Sequence, residues 1–212
     1  MKLKQVIIMF LVILTCCNPT QESILVDSDG NNYLVKKYGE TFWMTENLKI
    51  KQDKSGNPIK YSFPNNDSTN IETFGLLYDF DTASKICTSG WALPTNEDWE
   101  RLFESSGGNV ASIYKDSQYW EGEINSNSSI FSARPTGSGN NGEYENHFNA
   151  KTLFWSKTKE DDHFVWTYIL EVGKDSIRMA SQHPTYAFSV RCVKSKSRYI
   201  QNTTNIKNEY AN

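Results

Sequence analysis

The 212-residue sequence lacks a hydrophobic run long enough to cross a membrane, and it lacks an excess of positive charge. Its first apolar stretch, Val6–Leu14, is about half as long as a transmembrane helix requires. The formal net charge is −3, and the short basic segment Lys194–Arg198 is typical of a solvated strand end. These absences argue against a transmembrane helix and predict that nucleic acid is not a partner.

Arrangements typical of catalysis and of metal binding are also lacking in the sequence. None of the three histidines has an obvious nucleophile beside it, and the acidic turn that precedes His163 is typical of a solvated connection between strands. Asp27–Gly30 differs from an EF-hand loop, because that loop needs its Gly at position 6 and a Glu at position 12. We therefore predict no catalytic residue, no metal site and no cofactor.

Aromatic residues, by contrast, are abundant. The chain has 6 Trp, 11 Tyr and 11 Phe at an overall hydrophobic content of only 38%. This balance favours a loop-rich fold with an aromatic core over a helical bundle. About 195 residues remain after the N-terminal segment described next, which is enough for one domain with a sizeable core or at most two small ones.

The N-terminus is typical of an exported lipoprotein. A basic start, the apolar run and a small-residue ending make residues 1–16 a predicted secretory signal. Leu14–Cys17 resembles a lipobox, the bacterial motif whose cysteine is acylated; we predict Cys17 as the lipid-bearing residue, with Cys16 as the alternative. Residues 17–23 are a predicted tether, and Asn18 favours sorting to the outer membrane by resemblance to known lipoproteins.

Two further cysteines, Cys87 and Cys192, remain after the lipobox. In an oxidising compartment an isolated pair of this kind predicts one disulfide bond. Neither cysteine has a neighbouring His, so a tetrahedral zinc site is not expected.

The patterning along the chain predicts a mixture of strands, loops and two helices. Residues 27–33 are a turn signal between two strand-like runs. A first helix is predicted over 77–86, and a second begins after Thr95, with Asp98 in capping-box position and Gly107 at its end. Residues 109–150 lack a helical period, several short strands follow, and residues 195–212 are a predicted flexible tail.

Five ordered blocks of sequence then carry a family resemblance over residues 24–194. They are Asp27–Tyr33, Trp43–Leu48, Gly75–Tyr78, Cys87–Trp99 and Phe188–Cys192. Together they resemble the Fibrobacter succinogenes major paralogous domain family. The departures are Thr88, where that family usually has Pro, and Ala187, where it usually has Gly.

The middle block is also similar to C-type-lectin-like domains and to sulfatase-modifying enzymes. This resemblance implies an α+β, C-type-lectin-like fold with two helices, small antiparallel sheets and long loops. In such domains a cysteine of the first helix pairs with one on the last strand, and Cys87 and Cys192 occupy corresponding places.

Taken together, these features predict a lipid-anchored outer-membrane protein that faces the periplasm or the cell surface. We expect a non-catalytic, calcium-independent binding or adhesion module for a carbohydrate or an envelope protein. Tyr119, Trp120 and Tyr144 are candidate exposed ligand-binding side chains. The alternatives are an enzyme of the sulfatase-modifying-factor-like fold and a purely structural envelope lipoprotein; the paired reactive cysteine of the former enzymes has no counterpart here.

Overall fold

The computed structural model describes residues 23–122, 131–140 and 143–195, without the side chains of Ser23 and of residues 143–146. The predicted signal, the acylated Cys17 with its alternative Cys16, and nearly all of the tether and tail lie outside the described residues. The predicted domain over 24–194 falls almost entirely within them.

Eleven strands are found in the described part of the chain. They are β1 Ser23–Val26, β2 Asn32–Tyr38, β3 Thr41–Met44, β4 Leu77–Tyr78, β5 Ser138–Asn140, β6 Glu143–Asn146, β7 Lys151–Lys159, β8 Val165–Glu171, β9 Arg178–Gln182, β10 Tyr186–Ser189 and β11 Val193–Ser195. One sheet has the order β1-β2-β3-β11, and a larger one has the order β6-β5-β10-β7-β8-β9, with β4 also paired to β10. Neighbouring strands are antiparallel except for β10 and β7.

Helices are few and mostly short. They are α1 Ile71–Phe74, α2 Phe80–Ala83, α3 Asn96–Ser106 and α4 Ala111–Tyr114, with two 3-10 turns at Pro64–Asn66 and Ser68–Asn70. This content confirms the predicted α+β class. The predicted first helix over 77–86 is largely wrong, because Leu77–Tyr78 pairs with β10 as a strand and only one turn of α-helix follows.

The second predicted helix, α3, is confirmed together with both of its end signals. The Thr95 hydroxyl accepts from the Asp98 amide, and the Asp98 carboxylate accepts from the Thr95 amide at 2.9 Å, which completes a capping box. Gly107 ends the helix at φ +97°, in the left-handed conformation that glycine adopts without steric cost. Trp99 and Leu102 are buried on one face of α3, which anchors the helix to the core.

The central strands of the larger sheet are buried on both faces. Along β7, Leu153 and Trp155 belong to one hydrophobic cluster, whereas Phe154, which points to the opposite face, belongs to a second. The first cluster includes side chains of β1, β2 and β3, so it joins the two sheets. The second is aromatic, with the ring of Trp99 stacked 4.6 Å from that of Tyr168. The predicted aromatic core is therefore confirmed.

A disulfide bond joins Cys87 to Cys192, as predicted. Their sulfurs are 2.11 Å apart and their Cα atoms 5.8 Å apart, within the range that a disulfide requires. The bond links the segment after α2 to the segment between β10 and β11 across 105 residues of sequence. Both cysteines are at least 95% buried, so the bond is part of the core.

Removing this bond should lower the free energy of unfolding by about 2–5 kcal/mol, because the unfolded chain then regains the freedom that a long closed loop denies it. The measurement is urea unfolding of the mature chain and of its Cys87→Ser/Cys192→Ser variant, with mass spectrometry of the unreduced protein to verify the bond. Two free thiols in the unreduced protein, or equal stabilities, would contradict this expectation.

Candidate binding groove

A polar groove runs along the surface beside the β1–β2 hairpin. Its inner depression has a volume of about 20 Å³, enough for one water molecule, whereas the middle and outer depressions measure about 420 and 510 Å³. The inner and middle depressions share Lys49 and Glu72, and the middle and outer ones share Lys51 and Gln52. The three depressions are therefore neighbours along the surface, and we call them together the polar groove.

Two turns with the same sequence pattern, Asp-x-x-Gly-Asn, border the groove at Asp27–Asn31 and Asp53–Asn57. In both, the Asp carboxylate accepts from the Asn backbone amide at 2.9 Å and from the Asn side chain at 2.9 and 3.1 Å. In both, the Gly amide donates to the Asp carbonyl, and the Gly adopts φ near +80°. Hydrogen bonds from Asn57 lower the pKa of Asp53, which favours its charged, accepting form.

The backbone of residues 49–51, between these two turns in the sequence, is hydrogen-bonded to side chains of the β1–β2 hairpin. The Tyr33 hydroxyl donates to the Asp27 carboxylate at 2.6 Å and accepts from the Lys49 amide at 3.0 Å. Burial, followed by the hydrogen bond to Asp27, raises the pKa of Tyr33 far above its ordinary value, so the hydroxyl keeps its proton. The Lys51 amide donates to the Asp29 carboxylate at 2.6 Å. These hydrogen bonds fix the backbone of residues 49–51 relative to the first turn.

The groove presents both charged and uncharged hydrogen-bonding side chains. Lys49 forms an ion pair with Glu72 at its centre, and Lys51 and Gln52 are exposed between the middle and outer depressions. The half-buried ring of Tyr61 lines the outer depression. Donors, acceptors and one aromatic ring therefore line the groove, an arrangement suited to a polar ligand.

At the inner end lies Arg191, whose side chain is only 2% exposed. Its Nε donates to the Asn47 Oδ1 at 2.8 Å, and its two terminal nitrogens donate to the carbonyls of Ser132, at 2.9 Å, and of Phe131. The guanidinium also lies over the rings of Phe131 and Phe154, at 4.2 and 5.2 Å from their centroids. The buried cation is thus solvated by carbonyl and amide dipoles and by aromatic faces.

No carboxylate in the described part of the chain forms an ion pair with Arg191. Burial, and secondarily the nearby charge of Arg134, lower the pKa of Arg191 to about 9, so the side chain remains charged at neutral pH. Arg134 has its own partners, the Asp116 carboxylate at 3.0 Å and the Thr73 carbonyl.

Asn47 extends this hydrogen-bond network. Its Nδ2 donates to the Phe74 carbonyl at 2.9 Å and to the Ser189 hydroxyl at 3.3 Å. Gly75 lies directly against it, at φ +74°, and a Cβ at this position would come within 2.7 Å of the Asn47 Cβ and 2.9 Å of the Leu48 carbonyl oxygen. Only glycine fits here without displacement of the neighbouring chain.

Of the three side chains that the sequence nominated for ligand binding, the two that the structure describes, Tyr119 and Trp120, do not form an exposed surface. Trp120 is 2% exposed and donates from its indole nitrogen to the Ala133 carbonyl at 2.7 Å, so the prediction that it is exposed is wrong. Tyr119 is half-buried, with the Arg134 guanidinium 4.6 Å from its ring centroid. Tyr144 lies on β6, but its side chain is outside the described residues.

Four of the five sequence blocks that carried the family resemblance meet at the inner depression. Tyr33, Asn47, Gly75 and Arg191 belong to four different blocks, and all four line it. Sequence patterns do not identify the residues of the outer depression, such as Tyr61, because residues 51–70 are polar, contain Gly56, Pro58 and Pro64, and are typical of a loop. The repeated Asp-x-x-Gly-Asn pattern is the signal that would have identified this edge of the groove.

Within residues 23–122, 131–140 and 143–195, no three His, Cys, Asp or Glu side chains are placed to hold a metal ion together. None of the helices described for this chain combines the length and the hydropathy needed to span a bilayer.

Comparison with known proteins identifies one family. The profile of the Fibrobacter succinogenes major domain matches residues 36–194, which are 159 of the 212 residues. Neither the curated proteins nor the solved structures contain a significant match.

Replacing Gly75 with Ala should lower the free energy of unfolding by about 3 kcal/mol or more, since both the backbone conformation and the contact with Asn47 oppose a side chain. Gly90→Ala is the matched control: Gly90 has φ +81° but nothing within 4 Å of the added Cβ, so only about 1–2 kcal/mol should be lost. Urea unfolding measures both. Equal losses in the free energy of unfolding would contradict this expectation, because they would show that the chain around Asn47 shifts to accommodate the added methyl group at little cost.

Proposed function

This chain belongs to the Fibrobacter succinogenes major domain family, and we propose that it is a lipid-anchored envelope protein that binds an oligosaccharide through the polar groove. Binding requires neither calcium nor a chemical change in the ligand. The anchor is the acylated Cys17, and the protein resides at the outer membrane.

The observation that carries this proposal is the lining of the groove. A sugar presents hydroxyl groups that both donate and accept hydrogen bonds, and it also presents apolar C–H faces that pack on aromatic rings. Lys51 and Gln52 supply exposed polar groups beside the ring of Tyr61, in depressions large enough for one or two sugar units. The middle and outer depressions lie side by side, which suits a chain of sugar units better than a single small molecule.

The hydrogen bonds made by the carboxylates beside the groove support a non-catalytic role for the protein. Asp27 and Asp53 each accept hydrogen bonds from the amides of their own turn, and Asp29 accepts from the Lys51 amide. These groups stabilise the turns that border the groove. Glu72 is paired with Lys49.

The disulfide supports the proposed compartment. A buried disulfide is typical of proteins that fold in oxidising surroundings, as an exported lipoprotein does. The same bond supports a C-type-lectin-like arrangement, since it joins a segment just after a short helix to one just before the last strand.

The proposal is tested by glycan-array binding of the unacylated Cys17→Ser chain in the presence of a chelator. Lys51→Ala/Gln52→Ala should weaken binding at least about tenfold, because two hydrogen-bonding groups, one of them charged, are lost. Lys159→Ala/Gln118→Ala, a matched pair of exposed residues outside the groove, should leave affinity unchanged.

Three outcomes would overturn the proposal. They are the absence of any bound glycan, equal effects of the two double variants, and conversion of the glycan into a new product. A protein ligand captured from the envelope by the groove, with no glycan bound, would move the function to protein recognition.

A further inference from the structure

An exposed apolar strip lies on the β1–β2 hairpin. Ile24, Val26 and Leu34 are 61%, 51% and 43% exposed, and they are three of the six large apolar side chains with such exposure in the described residues. Ile24 lies directly opposite Leu34 in the strand register, and Val26 lies two residues further along β1 on the same face. We call these three residues the apolar strip.

The apolar strip lies on the outward face of the hairpin. On the opposite face of the same hairpin, Leu25, Tyr33 and Val35 are buried in the core. Strand alternation would normally place polar residues on an outward face in water. Clustered apolar side chains at such a place indicate a contact surface.

The strip is also the part of the domain closest in sequence to the proposed lipid. Ile24 follows Cys17 by seven residues, which span at most about 25 Å in any conformation. A lipid on Cys17 therefore holds β1 close to the membrane surface. Lys36, which is exposed two residues beyond Leu34 on the same face, adds a positive charge suited to anionic headgroups.

We propose that the apolar strip rests on the membrane surface and fixes the orientation of the domain; this inference depends on the lipid anchor of the proposed function. Membrane attachment through acyl chains is commonly reinforced by a second contact, and the strip supplies one. Since Ser28, Asp29 and Asn31 of the same hairpin line the groove, this contact holds the groove beside the membrane.

The test uses the full acylated protein in phospholipid vesicles that carry a brominated, fluorescence-quenching lipid. A tryptophan is added in the strip (Leu34→Trp) or, as the matched control, at the similarly exposed Phe164 (Phe164→Trp). Emission of the parent protein is subtracted from each. Quenching should remove at least about half of the emission added by Leu34→Trp and less than about a tenth of that added by Phe164→Trp.

The outcomes separate the strip from the anchor. Protein that floats with the vesicles but shows equal quenching at both positions overturns the strip contact alone. The Cys17→Ser variant should not float with the vesicles. If the acylated protein does not float either, the anchor is overturned and with it the strip contact. A concentration-dependent dimer of the Cys17→Ser chain that Leu34→Ser abolishes, together with unquenched Leu34→Trp, would reassign the strip to a second copy of the chain.

Discussion

The buried guanidinium of Arg191 imposes a strict requirement on this fold. A charge that is removed from water destabilises the folded state unless its donors are hydrogen-bonded, and breaking such an arrangement usually costs several kcal/mol. Arg191 meets the requirement by reaching Asn47 and the carbonyls of residues 131 and 132, which are 144, 60 and 59 residues away in sequence. The segments around residues 47, 131–132 and 191, which are distant in sequence, must therefore converge before the charge can be buried.

Other features of the molecule follow from this convergence. The position of Asn47 leaves no room for a side chain on Gly75, which fixes the path of the chain after α1. Cys192, the next residue after Arg191, is covalently bonded to Cys87, so one short segment is fastened by a disulfide and by a charge network. β11 then completes the sheet that carries the β1–β2 hairpin, and the groove opens over the same network.

The sequence predicted the features whose determinants are local. The first Asp-x-x-Gly-Asn turn and the Thr95 capping box depend on hydrogen bonds within a few residues, and the disulfide followed from there being only two candidate thiols. The predicted first helix was largely wrong because pairing of Leu77–Tyr78 with β10 outweighs local periodicity. The burial of Trp120 and the formation of the groove depend on which distant segments pack together, and sequence periodicity does not reveal this.

A double-mutant cycle between Arg191 and Asn47 tests this account most directly. Arg191→Met and Asn47→Ala should each lower the free energy of unfolding by about 2–5 kcal/mol and should show a coupling energy above about 1 kcal/mol, because each leaves the other's polar group buried and unpaired. The surface pair Arg178–Glu171, in which Arg178 is exposed and Glu171 is half-buried, is 3.7 Å apart; it is the control and should couple by less than about 0.5 kcal/mol. Strictly additive losses at Arg191 and Asn47 would contradict the account.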